Sequence, residues 1–172
     1  VLDGGNCLAW GGLRIVEWRW ELPDGRSIRQ ARAEWESARP GAYVAALWVT
    51  DDRGAQDVDF CQVKVFSRPK PEKHLPHIFM TRTPARQVPL GQPVSFRLWP
   101  QGEGLAPLQI DFDDGTQVTN YQPFAELRHS FKAPGIHIIT AHSTADGRPI
   151  TQKLKVVVSS NPDPTVVPSS GD

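Results

Sequence analysis

The chain carries one strand-and-turn pattern twice, about 90 residues apart. Residues 18–25 read Trp-Arg-Trp-Glu-Leu-Pro-Asp-Gly, and residues 108–115 read Leu-Gln-Ile-Asp-Phe-Asp-Asp-Gly. Both are alternating runs that end in an Asp-Gly turn, which is a β-strand signal. About 15 to 20 residues later each copy has a Pro-Gly, at 40–41 and 134–135, followed by another alternating run and a valine-rich strand. The repeat predicts two copies of one small β domain.

Dense turn signals between short runs favour an antiparallel β-sandwich over a helical fold. Gly-Gly, Asp-Gly and Arg-Gly pairs separate the runs, and no window keeps apolar residues at helical spacing for three turns. A chain of 172 residues is long enough for two small domains. We therefore predict an all-β chain of two tandem antiparallel β-sandwiches.

The sequence predicts four segments. The first module covers residues 1–67, and the second module covers residues 77–158. Residues 68–76 form a Pro-rich linker, which we expect to act as a short semi-rigid spacer. The Pro/Ser-rich tail, residues 159–172, is expected to be disordered. When the two copies are aligned, residue 1 of the first module corresponds to a position after the first strand of the second module. We therefore expect that the first module is truncated at its N-terminus or that another chain supplies the strand.

The motifs of both copies resemble those of the PKD (polycystic kidney disease) family. The family signature has a Trp-Asp-Phe-Gly-Asp-Gly-Thr strand and turn, then His-x-Tyr, Pro-Gly-x-Tyr, Val-Thr-Asp and a final Val-x-Val. The second module has Ile110 where the signature has its core Trp, and the first module has Trp35 roughly in place of His-x-Tyr. The similar stretches are residues 20–25, 40–43, 49–52 and 63–65 in the first copy, and 110–116, 129–131, 134–135 and 156–158 in the second.

The resemblance implies two tandem immunoglobulin-like (PKD-type) sandwiches with a non-catalytic role. PKD modules occur in cell-surface proteins and as accessory domains of secreted microbial hydrolases, where they space catalytic units or bind polymers and proteins. On that basis we expect an extracytoplasmic setting (secreted, cell surface or periplasmic). The expected function is that of a spacer or assembly subunit within a larger surface or secreted protein. The alternative is a polysaccharide-binding accessory module of a secreted hydrolase.

Composition and motifs argue against an enzyme, a nucleic-acid-binding protein and a membrane-inserted protein. The 19 basic and 19 acidic residues balance, whereas a nucleic-acid surface needs clustered positive charge. No apolar stretch is long enough to cross a bilayer. The catalytic motifs Gly-x-Ser-x-Gly and His-Glu-x-x-His are absent, as are phosphate-binding glycine loops. We expect no catalytic residue and no cofactor, and the expected partner is protein (a neighbouring domain or subunit) or polysaccharide.

The acidic residues of the second module are interpreted as turn formers. Asp111, Asp113 and Asp114 lack the spacing of a calcium-binding loop, because Gly115 stands where a ligand should be. Asp-Gly is ordinary turn chemistry, so we expect no metal site. A calcium alternative in the first module would use the loop-end residues Asn6, Glu21, Asp51 and Asp52.

The two cysteines of the chain, Cys7 and Cys61, both fall in the first module. The loop before the first long strand and the start of the last strand lie at the same end of a sandwich, so these residues could meet. Paired cysteines in a small extracytoplasmic domain predict a disulfide. The alternative is two buried thiols that behave as small hydrophobic groups.

Alternation divides the aromatic residues of the first module between two faces of its sheet. Trp20 is expected at the centre of the core, together with Leu47 of the neighbouring strand. Trp48 then faces the opposite way, beside Phe60 of the closing strand and Arg19. The pattern predicts an exposed aromatic patch of Trp48, Phe60 and Arg19 that acts as a binding surface.

Three interpretations of this patch stay open. It contacts a protein or a neighbouring domain, it stacks on sugar rings, or the register is off by one residue and Trp48 is buried. Trp10, in a Gly-rich loop, is a further exposed candidate, and Trp99 is expected to end a strand against the second core.

Overall fold

The computed structural model describes residues 1–66, 76–102 and 104–160, and these residues are almost entirely β-structure. A single 3₁₀ turn, at Trp10–Gly12, is the helical element of these ranges. The all-β prediction is confirmed. The strands of the first module are β1 (Leu2–Asp3), β2 (Ile15–Glu21), β3 (Ser27–Ile28), β4 (Arg32–Ala33), β5 (Gly41–Asp51) and β6 (Gln56–Val65). Those of the second module are β7 (His77–Thr83), β8 (Val88–Pro89), β9 (Val94–Gln101), β10 (Leu108–Asp111), β11 (Gln117–Tyr121), β12 (Leu127–His129), β13 (Gly135–Ala145) and β14 (Arg148–Ser159).

The first module is built on β5, which pairs antiparallel with β2 on one side and β6 on the other. Trp20 lies opposite Leu47 in this sheet, and both are buried in the core, as the alternation predicts. Burying an aromatic side chain removes a large apolar area from water, so Trp20 anchors the core. The buried residues of this core are Leu2, Trp20, Leu22, Ala33, Ala45 and Leu47.

Two indole groups tie this sheet to the small second layer, formed by β1 and β4. Trp18 Nε1 donates a hydrogen bond of 2.9 Å to the carbonyl oxygen of Gly4. Trp20 Nε1 donates one of 3.2 Å to the carbonyl oxygen of Ala31. Because buried indole N–H groups need an acceptor, these bonds fix the loops that flank β1 and β4 over the core.

The second module is a two-layer antiparallel sandwich. One sheet has the order β11-β10-β13-β14, with β8 paired in parallel to the end of β14, and the other has the order β12-β9-β7. The side chains between them form the largest core of the chain, in which Ile110 occupies the strand position of Trp20 in the repeat. Its largest fully buried side chains are Phe96, Phe112, Phe131, Leu98, Leu108, Ile110, Ile139 and Ile150.

The two modules meet edge to edge where Ile150 of β14 pairs in parallel with Ala42 of β5. The adjacent Gly41 is required here, because a Cβ at this position would lie 2.8 Å from the carbonyl oxygen of Pro149. This bridge joins the main sheets of both modules into one sheet of nine strands. The linker is therefore not the sole connection between the modules.

The predicted boundaries can be compared with the strands at only a few points. β7, the first strand after the predicted linker, begins at His77. β14 continues to Ser159, whose carbonyl oxygen accepts a hydrogen bond of 2.9 Å from the amide of Leu90, so the tail starts later than residue 159. Residues 161–172 of the predicted tail and residues 68–75 of the linker lie outside the described residues. The division at residues 67 and 77 stays a prediction, supported by two separate large cores.

Candidate functional site at the module junction

The predicted patch residues occupy neighbouring positions on one face of the first sheet. Arg19 of β2 lies opposite Trp48 of β5, and Trp48 lies opposite Val58 of β6. Phe60 lies opposite Ala46, two residues from Trp48 on the same face. The alternating sequence therefore placed these side chains on the correct face.

The prediction that this face is exposed is wrong. Ala46 is 0% exposed, Val58 2% and Ile138 of β13 7%, and together they form a third hydrophobic cluster. Trp48, Phe60 and Ile136 are half-buried around it. The physical reason is that the second module covers the face with its own sheet. We call Ala46, Trp48, Val58, Phe60, Ile136 and Ile138 the junction cluster.

Arg19 lies against the Trp48 ring at the junction. Its guanidinium carbon lies 5.0 Å from the centroid of the Trp48 ring, which is within the range of a cation–π interaction. Arg19 Nη1 also donates to the Glu21 carboxylate. The Trp48 Nε1 atom is buried, and no residue that the structure describes accepts a hydrogen bond from it. The indole therefore contributes to the junction through its apolar surface rather than through its N–H group.

Lys155 of β14 supplies the polar contact across the junction. Its Nζ donates a hydrogen bond of 3.0 Å to the carbonyl oxygen of Val58 and forms an ion pair with Asp57. Asp57 is largely exposed, so the ion pair itself contributes little. The hydrogen bond to the carbonyl oxygen of Val58 contributes more to stability than the ion pair does, because the Val58 side chain is buried and an unpaired carbonyl beside it would cost free energy.

A cleft of about 330 Å³ opens beside the junction cluster. Its carboxylates are engaged locally: Asp113 Oδ2 accepts a hydrogen bond of 3.0 Å from the amide of Ile138, and Asp111 accepts bonds from Asp113 and Gln117. These bonds hold the acidic turn against β13. The lining residues are Glu21, Trp48, Asp111, Asp113, Ile138, Thr140, His142 and Lys153.

The described residues contain no group of three or more acidic, histidine or cysteine side chains that could hold a metal ion. In the first module, Asp51 instead accepts hydrogen bonds from the amides of Arg53 and Ala55 in its own turn, and Glu21 pairs with Arg19. These bonds favour the interpretation of the acidic residues as turn formers.

His129 and Asp114 form a largely buried polar contact in the second module. His129 Nε2 lies 2.7 Å from Asp114 Oδ2, and the ring stacks on Phe112 with centroids 4.1 Å apart. Burial opposes ionisation of Asp114, but the hydrogen bonds from His129 and Thr116 outweigh it and lower the pKa of this carboxyl. The charged form of Asp114 is therefore part of the folded structure.

Cys7 and Cys61 are free thiols in the structure, which does not contain the predicted disulfide. Both are partly buried and pack against the first hydrophobic core. Burial, together with the negative charge of Asp59, raises the pKa of the Cys7 thiol. Cys7 is therefore a poor nucleophile near neutral pH.

The sequence analysis also made predictions for Trp10 and Trp99. Trp10 is 93% exposed, as expected for its Gly-rich loop. The expectation for Trp99 is wrong. Leu98 of β9 points into the second core, so Trp99 points outward and stacks on Phe79 of β7, with centroids 5.6 Å apart. Consecutive side chains of a β-strand point to opposite faces, so Leu98 and Trp99 cannot both point into the same core.

Sequence reasoning missed Ile136, Ile138 and Lys155, the second module's half of the junction. A signal was present, because β13 reads Gly-Ile-His-Ile-Ile-Thr-Ala-His and β5 reads Gly-Ala-Tyr-Val-Ala-Ala-Leu-Trp, which are apolar on both faces. Strands of that kind are covered on both sides.

A family model for the PKD domain matches residues 9–65, which confirms the resemblance of the first module to that family. Domains of this family are typically non-catalytic. The match does not extend over the second module.

Among solved structures, the chain is similar to the fibronectin(III)-like modules of CbhA from Clostridium thermocellum. The identity is 14%, with 88% of this chain and 82% of that chain covered, and the TM-score is 0.34. Separately, no helix in the described part of this chain is long and apolar enough to span a membrane.

Proposed function

We propose that the chain is a structural spacer or assembly unit of a larger extracytoplasmic protein, in which two sandwiches are held as one rigid body. The observation that carries the proposal is the junction cluster, with Ala46 and Val58 buried against Ile138. A freely jointed pair of modules would leave these apolar faces in water. Here the covered faces and the bridge between β5 and β14 fix the relative orientation of the modules.

The proposed partner is protein, and exposed apolar side chains outside the junction cluster support this. Leu8 and Trp10 of the first module are more than nine-tenths exposed, and Val16 is also exposed. Exposed large apolar side chains are candidates for protein contact. The role first assigned to Trp48, Phe60 and Arg19 becomes contact between modules of the same chain.

The extracytoplasmic setting is supported by the PKD match and has a chemical test. In an oxidising compartment Cys7 and Cys61, which pack against one core, are expected to join as a disulfide. Intact mass after alkylation under denaturing conditions without reductant counts the free thiols. Two alkylated thiols in protein isolated from its natural source would contradict this setting.

The second candidate is a polysaccharide-binding accessory module. The exposed Trp10 and Phe79 favour it, together with the half-buried Trp99 that stacks on Phe79, since aromatic rings stack on sugars. Pull-down on insoluble polysaccharides separates the two candidates. Binding that is lost in Trp10→Ala, Phe79→Ala or Trp99→Ala would support the accessory module and count against a purely structural role.

The rigid-body proposal is tested by opening the junction. Ile138→Glu places a charge against Val58 and should separate the modules, which increases the radius of gyration in small-angle X-ray scattering. Leu8→Glu is the matched control, because it introduces the same charge at a residue that is 92% exposed. Circular dichroism checks that both variants keep their strands. A wild-type protein that already scatters as an extended, flexible pair would overturn the proposal.

A further inference from the structure

The cleft beside the junction cluster has one wall that is built by three strands of the second module. Thr140 of β13 lies opposite Asp111 of β10 on one side and opposite Lys153 of β14 on the other. Neighbouring strands lie about 4.8 Å apart, so the Cα atoms of Asp111 and Lys153 are about 10 Å apart. Ile138 and His142 point to the same face as Thr140, because each is two residues away from it along β13. All five residues line the cleft.

The first module supplies the facing wall of this cleft through Trp48 and Glu21. Glu21 forms an ion pair with Arg19, so its charge is already compensated. Trp48 offers the apolar surface of its ring, since its N–H group is buried. Small-molecule sites occur preferentially at domain interfaces, where apolar surface is combined with a few convergent polar groups. The cleft has this composition, and its volume of about 330 Å³ is sufficient for a small ligand.

Lys153 brings a positive charge to one side of the cleft. It is half-buried, and none of the residues that the structure describes accepts a hydrogen bond from its Nζ atom or forms an ion pair with it. Lys155, two residues further along β14, is instead bonded to the carbonyl oxygen of Val58 and to Asp57. Removing an ammonium group from water without a partner costs free energy, and a carboxylate is a strong partner for it. The Lys153 side of the cleft therefore fits an anionic group.

The opposite side of the cleft is acidic and has an acceptor to spare. Asp113 Oδ2 accepts a hydrogen bond from the amide of Ile138, but no described residue donates to Asp113 Oδ1. Asp111 lies beside it and accepts a bond from the amide of Asp113. Two adjacent carboxylates with a free oxygen fit an ammonium group of a ligand. Thr140 lies between the two charged sides, and its hydroxyl group can donate or accept a hydrogen bond.

We propose that this cleft binds a free α-amino acid with an apolar side chain. The carboxylate of the ligand accepts hydrogen bonds from Lys153, its ammonium group donates to Asp113, and its side chain packs on Trp48 and Ile138. An α-amino acid carries both charges on one carbon, and the flexible four-carbon stem of Lys153 lets its ammonium group reach toward the acidic side. A neutral sugar would leave Lys153 without a counter-charge.

The site goes beyond the proposed structural role, because it gives the junction between the modules a ligand of its own. Isothermal titration calorimetry of the full chain with L-leucine tests it, and L-leucine should bind with a dissociation constant in the millimolar range or below. Isocaproate lacks the ammonium group of leucine, and isoamylamine lacks its carboxylate. Each should bind at least about tenfold more weakly than L-leucine, because each leaves one side of the cleft unpaired.

Two variants locate the charged groups that hold the ligand. Lys153→Met keeps most of the aliphatic stem, removes the ammonium group and should weaken L-leucine binding at least about tenfold. Asp113→Asn should also weaken it, since it removes the charge but keeps an oxygen for the amide of Ile138. Asn tolerates the φ of 61° at this position. Lys132→Met is the matched control, because Lys132 is exposed and does not line the cleft, and it should bind L-leucine like the wild type.

Melting curves identify a variant that fails to fold. Isocaproate tests the acidic side of the cleft without any substitution, so the role of Asp113 stays testable if Asp113→Asn is unfolded. The proposal is overturned by a wild type that does not bind L-leucine at millimolar concentrations, or by a folded Lys153→Met variant that binds it as tightly as the wild type. Isocaproate or isoamylamine binding as tightly as L-leucine, or an equal loss of binding in Lys132→Met, overturns it as well.

Discussion

Lys155 Nζ donates a hydrogen bond of 3.0 Å to the carbonyl oxygen of Val58, a residue 97 positions earlier in the chain. The bond joins the second module to the edge strand of the first, beside the contact of Val58 with Ile138. Both contacts hold β13 and β14 against the first sheet. The aromatic face that a lone module would offer to a ligand is used to hold its neighbour.

Lys155→Met keeps the aliphatic stem but removes the ammonium group. We expect a loss of about 0.5–1.5 kcal/mol in the free energy of unfolding, the usual size of one hydrogen bond, with little from the exposed ion pair. Urea denaturation measures the change. Asp57→Asn is the control, because it removes the ion pair but leaves the bond to Val58, and it should cost less. Equal losses in both variants would show that the ion pair is the dominant contact.

Trp20 and Trp48 lie on opposite faces of one sheet and should respond differently to truncation. Trp20→Ala should cost about 3–5 kcal/mol, as for other buried large aromatics. Trp48→Ala should cost about 1–3 kcal/mol, because the ring is half-buried at the junction. Thermal unfolding with tryptophan fluorescence reports both values. A Trp48→Ala protein with unchanged stability would mean that the junction opens in solution and that the face is free to bind other partners.

The alternation of the sequence predicted the two faces of β5 correctly because the side-chain period of a strand is fixed by backbone geometry. It placed Trp20 and Leu47 in the core and Trp48 with Phe60 on the other face, as the structure has them. Turn dipeptides likewise predicted the strand boundaries, since Asp-Gly has few alternatives to a turn.

What covers Trp48 could not be predicted, because that depends on where the second module lies in three dimensions. Ile138 reaches Val58 through a contact between residues far apart in sequence, for which no local pattern exists. The prediction for Trp99 was wrong for a simpler reason. Its neighbour Leu98 points into the core from β9, so Trp99 must point to the other face. Which residues of a strand point inward can be decided only when both faces are compared.

Cys7 should be unreactive at neutral pH in the reduced protein. Burial and the charge of Asp59 raise the pKa of its thiol, so the thiolate fraction available for alkylation is small. The rate of iodoacetamide labelling, followed by mass spectrometry, should increase only well into the alkaline range. Asp59→Asn removes the smaller of the two causes and should shift this increase slightly to lower pH. Rapid labelling of Cys7 at pH 7 would contradict its burial at the core edge.

Asp114 should make the second module sensitive to acid. Its pKa is lowered in the folded chain, because the hydrogen bonds from His129 and Thr116 outweigh the effect of burial. The stabilisation from its charge is therefore fully present above the unfolded pKa of about 3.9 and is lost as pH falls through the lower folded value. Asp3, Asp24 and Glu126 also have lowered pKa values and contribute to the loss of stability in the same acid range.

The Asp114→Asn variant isolates the contribution of Asp114. The free energy of unfolding of this variant should be lower than that of the wild type at pH 6, and the difference should shrink as the pH falls from about 4 toward 2. Chemical denaturation at several pH values measures this difference, and a gap that stays constant across the range would show that the charge of Asp114 does not stabilise the fold.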